Sequence, residues 1–377
     1  MSDTGSSTTD RVPPGQALCL SGGGYRAMLF HLGVLWRLYE LGLLRGLSRI
    51  SSVSGGSITA AKLALVWPKL SFDPAQLRRD FVPQLVEPIR ALAGKTIDRD
   101  AILGGLLLPG TIGERLGNAY DSHLFDGATL QDLPDDSNGQ APRFVINATN
   151  VQSGVLFRFS RPHMGDWRIG RMTDPTLRLA LAVAASSAFP PVLSPLTIPL
   201  DDTRMRPDEG SDLHRAPYVR QAVLCDGGVY DNLGLETAWK RCRTLFVSDA
   251  GGRMAAEPSP KEDWARHAAR VLELVDRQVR ALRKRQLIGA FKDGSRDGSY
   301  FGIRSDPGNF PLPPALPCPP ERALELAEVP TRLKSMPAAL QERLINWGYL
   351  ACDLGLRGHH DPTLPAPVSF PYPEAAI

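Results

Sequence analysis

Two short apolar runs, each closing in a glycine-rich turn that opens onto a helical pattern, constrain this chain more than any other feature. Ala17 to Ser21 reads as a buried strand, Gly22, Gly23 and Gly24 follow, and Tyr25 to Leu44 carries Leu29, Leu32, Leu35, Trp36 and Tyr39 at helical spacing. Ile50 to Val53 is the second run. It ends at Ser54, Gly55, Gly56 and Ser57, and "ITAAKLALVW" behind it is helical in pattern. Strand, turn and helix, twice in succession, predict an α/β protein with a mostly parallel sheet.

Further along, "RFVINATNV" and "VLFRFS" read as strands, "LRLALAVAASSAF" as a helix, and "PYVRQAVLCDGG" and "RTLFVSDAGG" as strands ending in turns. Phe72 to Asp121 reads as mostly helical, Lys261 to Ile288 as helical and strongly basic near its end, Asp306 to Pro320 as irregular, and Leu324 to Leu354 as helical. The organisation expected is a disordered polar leader over 1–15, an α/β core over 16–252, and a helical, Pro-rich extension over 253–377 packed on that core. Leu179 to Leu200 is uncharged and long enough to imitate a membrane span, but Pro190, Pro191, Pro195 and Pro199 break it, so its helix should end near Phe189. The leader lacks the apolar core of a signal peptide. Five cysteines without a CxxC pair read as reduced thiols, which points to the cytoplasm and to no zinc site. A net charge of +3 gives no argument for nucleic acid, and nothing assigns an oligomeric state.

The chemistry begins at the first glycine turn. A strand-to-helix turn leaves backbone N–H groups free to face an anion, either a cofactor phosphate or an oxyanion formed during reaction. Gly22, Gly24 and Ala27 fit the dinucleotide pattern G-x-G-x-x-G/A, but the second strand ends in Ser54, Gly55 and Gly56 where that fingerprint needs an acid. Ser52-x-Ser54-x-Gly56 instead follows the nucleophile elbow, with Ser54 on a tight turn among small neighbours and a serine where the pattern prefers glycine. Acyl transfer needs a nucleophile and oxyanion donors, and the first glycine turn can supply the donors. In "LCDGGVYDNLG", Asp226 ends a strand beside Gly227 and Gly228, with Asp231 and Asn232 able to order its loop.

Taken in order, "LSGGGYR", "SVSGGS", "AASSAFPPVLSPL" and "DGG" resemble the patatin-like phospholipase family over roughly Gln16 to Gly252. The resemblance implies a three-layer α/β/α fold and a serine acyl-hydrolase that cleaves phospholipid or lysophospholipid esters with no metal or organic cofactor. It makes Ser54 the nucleophile and Asp226 the base of a Ser–Asp dyad. Gly22, Gly23, Gly24 and Gly55 become the oxyanion hole. Arg26 is expected either to touch a phosphate headgroup or to pair with a carboxylate, and Gly227 and Gly228 to shape the Asp226 loop. An α/β-hydrolase triad would need a histidine after Asp226, and His267, His359 and His360 all have polar or surface settings; His31 reads as a core or surface residue. A lipid-binding effector with little turnover is the other alternative. Arg277, Arg280 and Lys284 form a basic helical stripe beside Val275, Val279 and Leu282 that reads first as a solvated face and alternatively as a surface for peripheral contact with an anionic bilayer, and the apolar "AILGGLLLPGTIG" near Ala101 reads either as core helix plus turn or as a lipid-facing lid.

Overall fold

The computed structural model describes residues 12–97 and 111–377. Most of the expected leader, and the apolar segment from Ala101 to Gly110, lie outside the described residues.

The first strand, β1 (Gln16–Leu20), leads into helix α1 (Gly24–Glu40), and β2 (Arg49–Val53) leads into α2 (Gly55–Val66). Then come α3 (Glu87–Ala93), α4 (Ile112–Tyr120), β3 (Arg143–Asn150), β4 (Val155–Phe159), β5 (His163–Asp166), β6 (Gly170–Thr173) and α5 (Leu179–Ser186). The chain continues through β7 (Leu196–Pro199), β8 (Met205–Arg206), β9 (Gln221–Asp226), β10 (Thr244–Asp249), α6 (Trp264–Lys292), β11 (Asp297–Gly302), α7 (Pro320–Ala327) and α8 (Ala338–His359). Strands β11, β10, β1, β2 and β3 lie side by side and parallel, the mostly parallel centre that the paired glycine turns predict. Beyond β3 an antiparallel wing of β4, β5, β6 and β8 extends the sheet.

Strand alternation explains the three layers. Leu18, Leu20, Ile50 and Phe246 point into one core, with Met28, Leu32, Leu35 of α1 and Leu350 of α8. Ala17, Cys19, Leu245 and Val247 point the other way, onto Leu233, Leu235, Ala238 and Leu287 of α6. Both faces are covered, so these strands read as continuous apolar runs. Helix α8 lies along α1, joined by a buried Arg37–Asp353 ion pair at 2.8 Å. The segment after residue 252 thus supplies a flanking helix and also the edge strand β11. No helix among the described residues is long and apolar enough to cross a membrane.

Several boundaries differ from the sequence reading for local reasons. Helix α1 stops at Glu40 because Gly42 turns into the left-handed region at φ +69°. Helix α5 stops at Ser186, before Phe189, and leaves Phe189, Pro190 and Pro191 to line a cleft. The single helix expected over Leu324–Leu354 is two, α7 and α8, separated by a stretch containing Pro330 and Pro337.

Candidate active site

The register on β3 brings the two halves of the site together. Val53, the last residue of β2, pairs with Asn147, and Asp226, the last residue of β9, pairs with Ala148. β2 runs parallel to β3 and β9 antiparallel, while β4 occupies the other edge. The two strands therefore end head to head on one edge of β3, and the turns that follow them, Ser54 and Gly227–Gly228, meet.

Ser54 takes φ +51° and ψ −121°, a strained conformation for a residue with a side chain and the one an elbow requires. Its N–H donates to Ser186 Oγ at 2.9 Å, and Ser186 donates to the Asn147 carbonyl at 2.6 Å and contacts Ser57 Oγ at 2.9 Å. Ser186, buried inside the "AASSAF" motif, locks the elbow to β3; the sequence reading quoted the motif but gave this residue no role. Ser52 is accommodated where the pattern prefers glycine, with its hydroxyl placed between the Val145 carbonyl and Ser57 Oγ.

Asp226 is 3 % exposed. Oδ1 accepts the Gly228 N–H at 2.7 Å, and the carboxylate accepts a hydrogen bond from the Ser54 side chain. Burial pushes its pKa up to about 7, against the opposing effect of those two hydrogen bonds, and the Asp276 carboxylate of α6 adds a smaller upward push. A carboxylate so placed is a far stronger base than a solvated aspartate. Gly227 donates its N–H to the Ser186 carbonyl at 3.4 Å, and the Asp226 N–H goes to the Ala188 carbonyl at 2.9 Å, so α5 and its tail hold this loop too.

The glycine turn lies across from Ser54. Gly22 lines the cleft, but its N–H is given to the Asn232 carbonyl at 3.2 Å, which sets it apart from the other expected oxyanion donors. The amides of Gly23, at the N-cap, and of Gly24 and Gly55, at the first positions of α1 and α2, have no intrahelical partner by position. Gly23 (φ +145°) and Gly24 (φ +59°) use conformations that glycine alone adopts easily, and a Cβ on Gly55 would lie 2.2 Å from the Gly24 carbonyl oxygen. The two helix N-termini therefore converge beside Ser54, with both dipoles favouring negative charge there.

Arg26 corrects the sequence reading. It is 2 % exposed and meets neither a carboxylate nor open solvent. Nε and one terminal nitrogen donate to the Ala250 carbonyl at 3.1 and 2.9 Å, and the guanidinium also reaches the Val329 carbonyl and Thr331 Oγ1. Carbonyl oxygens offset its position at a helix N-terminus, while burial lowers its pKa to about 10. Arg26 braces the loops around the glycine turn. Asp231 is fully buried and accepts N–H groups from Leu233 and Glu236, while Asn232 supplies the carbonyl that holds Gly22.

A cleft of about 520 Å³ opens over Ser54, Asp226, Gly22 and Gly23. Its far wall is α6, which presents Arg270, Glu273, Asp276, Arg277 and Arg280. This reverses the basic stripe expected from sequence: Arg280 donates to Asp249 Oδ2 at 3.0 Å and to the Gly252 carbonyl at 2.7 Å, and Arg277 to Glu273 at 3.0 Å. Lys284 sits over the Tyr300 ring at 4.2 Å. Arg277 and Arg280 point inward, while Lys284 stays exposed against that ring. The outward face carries Trp264, Val271, Val275 and Leu282, which are 85 %, 46 %, 50 % and 56 % exposed.

No histidine lines this cleft among the described residues. His31 is buried under the glycine turn, with its ring nitrogens on Ser248 Oγ at 2.8 Å and the Ser21 carbonyl at 2.9 Å, and burial holds its pKa down to about 4. His267 is exposed on α6, His360 packs edge-on against Phe246, and His359 lies against Phe310.

A family model described as patatin-like phospholipase matches residues 18–239, more than half of the chain. Among solved structures, human GIVD cytosolic phospholipase A2 is 17 % identical with a TM-score of 0.39, covering 66 % of this chain and 49 % of its own. The same human protein in complex with methyl gamma-linolenyl fluorophosphonate is 17 % identical with a TM-score of 0.48, covering 91 % of this chain and 58 % of its own. VipD from Legionella pneumophila is 15 % identical with a TM-score of 0.39, covering 91 % of this chain and 67 % of its own. This chain thus spans about half the length of the human structure. A search of curated proteins finds no match.

Proposed function

Because this chain belongs to the patatin-like phospholipase family, we propose that it is a serine acyl-hydrolase that cleaves phospholipid or lysophospholipid esters through a Ser54–Asp226 dyad. The observation that carries the reading is the head-to-head ending of β2 and β9 on β3, which puts the strained Ser54 against a buried carboxylate. Asp226 takes the hydroxyl proton as Ser54 Oγ attacks the ester carbonyl carbon. The tetrahedral oxyanion forms beside the N–H groups of Gly23, Gly24 and Gly55. Collapse breaks the ester C–O bond, and Asp226 returns its proton to the departing alcohol. Water, deprotonated by Asp226, then cleaves the acyl-enzyme and restores both residues. The core over 16–252 supplies this machinery, and residues 253–377 wall the cleft through α6.

The oxyanion assignment has its own test. Gly24→Ala keeps its N–H but puts a Cβ 2.7 Å from the Arg332 carbonyl oxygen at φ +59°, so the amide must shift off the oxyanion, and kcat should fall by roughly 10²–10³-fold, the effect of losing one donor in other acyl-transfer enzymes. The same change should leave the KM for a soluble ester within a few-fold. A variant that loses affinity while keeping turnover would make the glycine turn a ground-state binding element.

The protein works in the cytoplasm at a membrane surface, consistent with five unpaired cysteines and with an α6 whose apolar stripe faces outward above the cleft. Such a stripe, backed by charge, fits a lipid interface. Replacing Trp264, Val271 and Val275 together by Ser should reduce hydrolysis of vesicle lipids ~10–100-fold, as expected for the apolar area lost. Turnover of a short-chain soluble ester should stay unchanged. Equal losses on both substrates would remove α6 from lipid contact.

A further inference from the structure

Beside the start of β2 and β3 the chain gathers four arginines, of which one is paired with a carboxylate among the described residues. Arg49 opens β2 and Arg143 opens β3, and the two are direct partners in the parallel register, an arrangement of like charges that costs stability. Arg158 on β4 and Arg241, just before β10, close the same small cleft, with His163 and Thr237 on its walls. Asp136 satisfies Arg143 at 2.7 Å. For the side chains of Arg49, Arg158 and Arg241 there is no hydrogen-bond or ion-pair partner among the described residues.

The nearby acids are committed elsewhere. Asp166 accepts from Asn150, Ser153 and the amides of Arg168 and Ile169. Asp208 pairs with Arg171, and Glu236 with Arg283. Burial and then the neighbouring arginines register the imbalance: Arg49 is lowered to about 10, and His163, pressed by Arg171, Arg143 and Arg158, to about 4.

Two half-buried guanidinium groups, of Arg49 and Arg158, and the exposed one of Arg241 converge without an anion and form an incomplete site. Each offers planar paired donors that match the oxygens of a tetrahedral anion. The cleft has a volume of only about 30 Å³, so it admits a compact group. It adjoins a larger one of about 550 Å³ that shares Arg158, Thr237 and Arg241 and adds Trp167 and Tyr230. We propose that this cleft binds a phosphate group, of a soluble phosphate ester or of a lipid headgroup, with Arg49, Arg158 and Arg241 as its ligands and the remainder of the molecule in the Trp167–Tyr230 cleft. Arg49 lies the length of β2 from Ser54, roughly 16 Å at ~3.3 Å per residue, while Arg158 pairs with Asn147, the β3 residue that also pairs with Val53, so the site extends along the neighbouring strands toward the elbow. The two clefts share no lining residue, so the phosphate bound here is not that of the ester being cleaved.

The test titrates the full chain at pH 7 and constant ionic strength with inorganic phosphate, following calorimetry and thermal unfolding. A second arm measures cosedimentation with phosphatidylcholine vesicles with and without phosphatidic acid. Wild type should give saturable binding to at least one probe, and chloride should not reproduce it. Arg49→Gln with Arg158→Gln should weaken that binding at least tenfold, and Arg241→Gln, at an exposed position outside the core, should weaken it several-fold. Arg322→Gln, exposed on α7, should change nothing. Binding to free phosphate supports the soluble source; binding confined to phosphatidic acid vesicles and lost in the same variants supports the lipid. Absence of saturable binding to either probe, or variants that bind as wild type does, would overturn the proposal.

Discussion

Ser54→Ala should abolish ester hydrolysis, with a fall in kcat of roughly 10⁴–10⁶-fold, the range seen when a nucleophilic serine is removed from a preorganised site. The fold should survive. The Ser54 side chain donates to Asp226, but the elbow itself is held by backbone: the Ser54 N–H on Ser186, and the Ser57 and Ile58 amides on the Ser54 carbonyl. Alanine at φ +51° is no more strained than serine. Circular dichroism and the unfolding midpoint should therefore match wild type while turnover disappears. Near-normal turnover in a folded variant would remove Ser54 from the chemistry.

Asp226→Asn should cost roughly 10⁴-fold in kcat, comparable to the same change in a triad, because an amide cannot accept the Ser54 proton. The raised pKa gives this residue two further signatures. First, kcat/KM for a soluble ester should rise with pH through a single inflection near 7, where Asp226 becomes the carboxylate, and this inflection should vanish in the variant. Second, stability should move in the opposite sense. Asp226 holds its proton more tightly folded than unfolded, so the folded state binds the extra proton between about pH 4 and pH 7. Stability is thus fully present below the unfolded pKa and is lost as pH rises through the folded one. Asp226→Asn, which carries no charge to bury, should be more stable than wild type at pH 8, with the gain shrinking as pH falls toward 4. Urea unfolding of both proteins at pH 5 and pH 8 measures it. Equal loss of stability in the variant at both values would mean that Asp226 serves the fold through its charge.

The features legible in the sequence are those that local geometry dictates. A strand, a tight turn of small residues and a helix follow from neighbours in the chain, so the paired turns at Gly22–Gly24 and Ser54–Gly56 could be read directly, and the parallel strands β1, β2 and β10 with them. What brings Ser54 to Asp226 is register on β3 at Asn147 and Ala148, which no periodicity encodes. Ser186 was invisible for the same reason, since its partners come from three separate elements. Arg26 misled because a cation suggests an anion, whereas backbone carbonyls from residues 250 and 329 complete its shell. Helix α6 misled because amphipathic helices normally turn their apolar face inward. Here the loop at Asp249–Gly252 offers acceptors that draw Arg277 and Arg280 in, which leaves Trp264 and Val271 outside. Strand β11 was missed because "DGSYFG" carries two glycines and little alternation; β10 recruits it as an edge.

The central claim is that Ser54 is activated by Asp226 with no histidine. Covalent labelling by a fluorophosphonate, timed and mapped by peptide mass spectrometry, tests it most directly. The account predicts one adduct, on Ser54, absent in Ser54→Ala and slowed by roughly 10³-fold or more in Asp226→Asn. His267→Ala, His359→Ala and His360→Ala should label at rates within a few-fold of wild type. An adduct on another residue, or a folded histidine variant as unreactive as Ser54→Ala, would contradict it.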